Sequence, residues 1–129
     1  MLQSDSPAVT AARAHVDAWS NHDFEAARSG LAPDVKVTAT TTNPHIPDTD
    51  LAGVEDYMRG LVAFAEPVVP GSPQLLASVG DEQNALLMLT VEMAGPDGRR
   101  TTLPGARLYQ LDENGKIKTE QVIFFAAQD

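Results

Sequence analysis

Residues 105–127, "GARLYQLDENGKIKTEQVIFFAA", read as two strands joined at Asn114-Gly115, and Asn-Gly between apolar runs is a strong short-range hairpin signal. Strands this rich in Leu, Val, Ile and Phe are normally buried. They nevertheless carry Arg107 and Glu120, and a buried charge costs several kcal/mol unless it is paired or used. A two-residue loop sets Arg107 opposite Val122, Tyr109 opposite Glu120 and Gly105 opposite Phe124. Opposed residues share a face, so Arg107, Tyr109, Glu120, Val122 and Phe124 would line one side, with Arg107 and Glu120 on a diagonal that long side chains span. Ala106, Leu108, Gln121, Ile123 and Phe125 would line the other. A three-residue loop with Gly115 in a bulge would instead put Arg107 opposite Gln121 and send Glu120 to the far side.

The rest of the chain supplies what such a hairpin can pack against. "PAVTAARAHVDAWS" (7–20) spaces Val9, Ala12, Val16 and Trp19 as one helical stripe, with Ser6 as N-cap and Pro7 at the first helical position. A second short helix is capped by Asp23 and stopped by Gly30 and Pro33. "DVKVTATTT" alternates as a strand, and "NPHIPDTD" follows as a Pro-rich surface connection. A third helix is expected over "LAGVEDYMRGLVAFAE", and after "PVVPGSPQ" the second half is all strand. Helices early and antiparallel strands late indicate one α+β domain over residues 1–129, with helices on one face of a curved sheet. "ALLMLTVEM" is apolar at successive positions and is expected to be covered on both faces. The helices cover one. The other needs either a second layer or a second copy of the chain, which points to a homodimer through the sheet.

Composition narrows the function. Nine Lys and Arg against 18 Asp and Glu give a formal charge of −9, which repels phosphate backbones and anionic lipid, so neither nucleic acid nor a membrane is expected as partner. The absence of cysteine removes disulfides, thiolate nucleophiles and thiolate metal sites and is compatible with a reducing cytosol. Residues 1–20 lack the cationic start and apolar run of a secretory signal, and no segment approaches a membrane span, so a cytoplasmic location is expected. The histidines show no pair at ligand spacing, and no metal site is assigned.

The order helix, helix, strand, Pro-rich loop, helix and four strands resembles the cone-shaped fold of the nuclear transport factor 2 superfamily, with its ketosteroid isomerases, SnoaL-like polyketide cyclases and epoxide hydrolases. "WSNHDFEAARSGLAPDVKV", "LAGVEDYMRGL" and "RLYQLDENGKIKTEQVIFF" carry the resemblance. It implies a cone-shaped curved antiparallel sheet whose concave face is covered by the three helices of the N-terminal half. Ketosteroid isomerase matches these stretches best, and its chemistry uses an Asp base with a Tyr and a neutral Asp as donors. Those positions fall at Ala39, His15 and Arg107 here, so that route is excluded. The same match turns Arg107, Glu120 and Phe124 toward the cavity, as the two-residue loop does.

A cone interior of this family implies a small-molecule site. The candidates are Glu120 as general acid or base, Arg107 to orient it or hold a ligand oxyanion, and His15 beside them. Trp19, Tyr109, Leu89, Val91 and Phe124 would wall the pocket for a hydrophobic ligand, together with Leu87, and His45, held between Pro44 and Pro47, would close it. The implied reaction style is cofactor-free acid and base chemistry on an oxygenated hydrophobic molecule. A binding protein or a dimeric assembly module would use the same fold without turnover.

Overall fold

The computed structural model describes residues 6–41 and 48–125. Three helices, α1 (Pro7–Ser20), α2 (Phe24–Ser29) and α3 (Val54–Ala65), lie against a six-stranded sheet. Its strands are β1 (Leu31–Thr41), β2 (Thr49–Ala52), β3 (Gln74–Gly80), β4 (Asn84–Ala94), β5 (Arg100–Leu111) and β6 (Ile117–Phe124), in the spatial order β2-β1-β6-β5-β4-β3. The helix starts follow local chemistry. The Ser6 hydroxyl accepts from Val9 N at 3.3 Å ahead of Pro7, and Asp23 accepts from Ala26 N at 3.2 Å. The stripe Val9, Ala12, Val16 and Trp19 is buried as its spacing requires.

The sheet is α+β in its setting but mixed rather than wholly antiparallel, because β6 runs parallel to β1 and antiparallel to β5. The chain passes through α3 and β3 to β5 before β6 returns to fill the place beside β1, a connection long enough for a parallel pair. A short edge strand replaces part of the expected loop and third helix. Residues 49–52 pair with β1, Leu51 opposite Val37, and Gly53 at φ +90° then turns the chain so that α3 begins only at Val54. Strand β1 also starts earlier than its Val and Thr pattern, at Leu31, and carries Pro33 in an irregular stretch before Lys36.

The terminal hairpin combines both expected forms. Asp112 N donates to Lys116 O at 2.7 Å around a three-residue loop whose Gly115 has φ +77°. One extra residue on β6, Lys118, then restores the register, and Arg107 pairs with Val122, Tyr109 with Glu120 and Gly105 with Phe124. The bulge therefore returns Glu120 to the inner face despite the longer loop.

The core fills the space between the helices and the inner sheet face, with Trp19, Tyr109, Leu87, Ile117 and Val35 fully enclosed. Strand β4 is covered on one face within the single chain. It alternates, with Ala85, Leu87, Leu89 and Val91 buried and Leu86 and Met88 exposed in the monomer. Leu108, Ile123 and Phe125 extend this exposed apolar row across β5 to the end of β6. Among the described residues no helix is long and apolar enough to cross a membrane.

Candidate functional site

A cavity of about 190 Å³ opens between α3 and the β2-β1-β6 side of the sheet. Val37 and Ala39 of β1, Leu51 of β2, Leu61 and Phe64 of α3, and Val122 and Phe124 of β6 make it apolar. Its polar groups are Thr49, Tyr57, Arg107 and Glu120. Strand alternation sends Glu120, Val122 and Phe124 into it from one strand, and Arg107 reaches the same wall from β5.

Glu120 is the centre of a buried polar chain. One carboxylate oxygen, Oε2, accepts from Arg107 Nη1 at 3.0 Å, and the other, Oε1, accepts from the Tyr57 hydroxyl. Behind Tyr57, His15 Nε2 lies 2.9 Å from the Tyr57 oxygen. Arg107 is held from its other sides by aromatic rings. Its guanidinium carbon lies 4.9 Å from the Trp19 ring centre, 5.5 Å from Phe64 and 5.8 Å from Phe124. Tyr109 Oη sits beside the ion pair, buried, without a well-aligned hydrogen bond.

The charges follow from this packing. Burial pushes the Glu120 carboxyl up, but the Arg107 charge, then His15 and the two tyrosine hydroxyls outweigh it and hold the group below the usual carboxylate range. Burial lowers His15 below its ordinary value, so its ring is neutral at pH 7. Burial, reinforced by the charge of Glu120, raises the Tyr57 phenol well above its ordinary value. An ionised carboxylate only accepts, so Tyr57 spends its one proton on Glu120, and His15 Nε2 stands against the same hydroxyl oxygen.

The expected residues divide into three groups. Arg107, Glu120 and Phe124 line the cavity together. His15, Trp19 and Tyr109 stand behind its wall: His15 acts on Tyr57, Trp19 supports Arg107, and Tyr109 packs edge-on to His15 with ring centres 6.3 Å apart. Leu89 and Val91 do not line it, and Leu87 is enclosed core. The first two border a crevice of about 10 Å³ on the β4–β5 side, and Leu87 and Leu89 also border a groove of about 210 Å³ beside α1, with Arg13, Val16 and Asp17. His45 lies outside the described residues. Tyr57 is the group at this site that sequence reasoning did not single out. Its signal was available only as a buried hydroxyl on the inner face of α3, since the partner Glu120 is 63 residues away. Among the described residues no three His, Cys, Asp or Glu side chains cluster so as to hold a metal ion.

A curved sheet wrapped by three helices, with a polar group buried at the wall of an apolar cavity, defines a pocketed α+β domain. The chain belongs to the SnoaL-like domain family, whose model matches residues 12–120. Solved structures agree on the fold. A protein from Kribbella flavida DSM 17836 is 23% identical with a TM-score of 0.72, over 89% of this chain and 84% of its own. A Mycobacterium tuberculosis protein solved in complex with estradiol-17beta-hemisuccinate is 16% identical with a TM-score of 0.76, over 92% and 93%. An epoxide hydrolase of the same organism, described as LEH-like, is 19% identical with a TM-score of 0.69, over 92% and 82%. No curated protein matches the sequence significantly.

Proposed function

We propose that the chain binds a hydrophobic, oxygenated small molecule in the cavity beside α3, with Glu120 as the acceptor for a ligand hydroxyl. The observation that carries this reading is an ionised carboxylate buried at the wall of a largely apolar cavity, with Arg107 on one oxygen and Tyr57 on the other. The steroid ester held by the M. tuberculosis neighbour supports ligand binding by this fold. Thermal-shift screening against cyclic alcohols, phenols and ketones tests it. A panel in which no compound raises the melting temperature, or in which Glu120→Gln leaves every shift unchanged, overturns it.

A second reading is cofactor-free acid and base turnover at the same carboxylate, favoured by the chain Glu120, Tyr57 and His15, in which each group touches the next. Arg107 opposes it by holding Glu120 in its weakly basic, ionised form. Product analysis on each binding compound separates the two, because ligand recovered unchanged removes the catalytic reading. We also propose a homodimer through the outer sheet face. Leu86, Met88, Leu108, Ile123 and Phe125 form an exposed row without a charged member, the composition expected at the centre of an interface. Light scattering at micromolar concentration tests it. A monomeric wild type, or a Met88→Lys variant as dimeric as the wild type, overturns it.

A further inference from the structure

We infer that the cavity selects neutral hydroxyl-bearing rings and rejects ring carboxylates, because the cation and the anion in its wall are already committed to each other. The inference rests on the proposal that this cavity is the ligand site. Size comes first. An apolar cavity of about 150 Å³ admits benzene. At about 190 Å³, this one takes a single six-membered ring with one or two small substituents.

Charge decides which substituent. Arg107 is the cation at the wall, and a ligand carboxylate would need it. Its Nη1 is bound to Glu120 at 3.0 Å and its guanidinium is packed among Trp19, Phe64 and Phe124, so a ligand anion would share the Arg107 charge with Glu120. Such an anion would also stand near Glu120 in a low-dielectric site. Bare repulsion between unit charges about 4 Å apart is enough for roughly a thousandfold loss of affinity, and Arg107 cancels only part of it. A hydroxyl meets the opposite situation. It donates to Glu120 beside Tyr57 and Arg107, in competition with the poorly aligned Tyr109 hydroxyl. An unsubstituted ring gains burial but leaves that acceptor unmet.

Ligand-observed NMR at millimolar phenol, toluene and benzoate, each with the intact protein, reads this selection directly. The expected order is phenol over toluene, with benzoate at least tenfold weaker than phenol. Glu120→Gln keeps the shape, removes the anion and frees Arg107, so benzoate binding should rise at least tenfold while phenol binding falls. Benzoate equal to or better than phenol on the wild-type protein overturns the inference, and that comparison needs no variant. A Glu120→Gln protein with wild-type circular dichroism and unchanged selectivity overturns it as well. If toluene and phenol bind equally, the cavity is a ligand site and the role given to Glu120 is wrong. If none of the three rings binds, the proposed function itself fails.

Discussion

Arg107→Met removes the guanidinium while keeping an unbranched apolar stem among Trp19, Phe64 and Phe124, and so isolates the charge. Glu120 would be left as an unpaired anion, buried with 2% exposure and retaining the Tyr57 hydroxyl as its remaining donor. Breaking a buried pair in this way costs about 3–5 kcal/mol. A chain of 129 residues has a total stability of about 6–19 kcal/mol, so between about a sixth and four fifths of it is at stake. The sign of the pH dependence should also reverse. In the wild type the Glu120 carboxyl is held below its ordinary value of 4.5, so its stabilisation is complete above that pH and is lost as the pH falls through the lower, folded value. Without Arg107, burial dominates and the folded value rises above the unfolded one. Stability is then greatest below pH 4.5, as far as this group is concerned, and falls as the pH rises through the folded value, by up to about 1.36 kcal/mol per pH unit. Urea unfolding between pH 3 and 8, followed by the fluorescence of the single tryptophan, Trp19, measures both effects. A cost below about 1 kcal/mol with no reversal of slope would show the pair to behave as an exposed one, and would refute the reasoning.

His15 is held below its ordinary value of 6.5 by burial, so the folded state resists a proton that the unfolded state accepts. Wild-type stability should begin to fall below pH 6.5, ahead of the Glu120 loss, and His15→Gln should flatten that upper part of the profile in urea titrations at successive pH values. Tyr57→Phe deletes the donor to Glu120 Oε1 and should cost about 1.5–3 kcal/mol by chemical denaturation at pH 7, without changing the helix content seen by circular dichroism. Gly60 faces the cavity from α3, and a Cβ there would lie 2.7 Å from Leu51 Cδ1. Leu51 Cδ1 is the end of a half-buried side chain that can shift into the cavity, so Gly60→Ala should keep part of the helix gain of about 1 kcal/mol expected from propensity while weakening ring binding; unchanged binding would contradict this packing.

The hairpin shows how much of the site was legible. Its period-2 pattern gave Arg107, Glu120 and Phe124 a common face, and that face is the inner one. The loop length was ambiguous locally, and the bulge at Lys118 settled the outcome by allowing a three-residue turn and the inner register together. The burial of Trp19 was readable in the same way, since helical spacing reports which side of a segment is apolar. Periodicity does not report what lies opposite. Leu89 and Val91 have the same inward pattern as Val122 and Phe124, yet only the latter two border the cavity beside α3 into which Tyr57, Arg107 and Glu120 project.

What the sequence alone determined is therefore local and signed: the helix caps, the strand faces, the −9 charge that argues against phosphate partners, and the presence of two opposite charges on one buried face. Tertiary structure decided the relations between distant segments. It placed β6 parallel to β1, turned residues 49–52 into an edge strand, and brought the Tyr57 hydroxyl to Glu120 and His15 to Tyr57. The physical reason is range. Capping and alternation act between residues a few positions apart, whereas the protonation of Glu120 and the shape of the cavity beside it depend on side chains that only the completed core brings into contact.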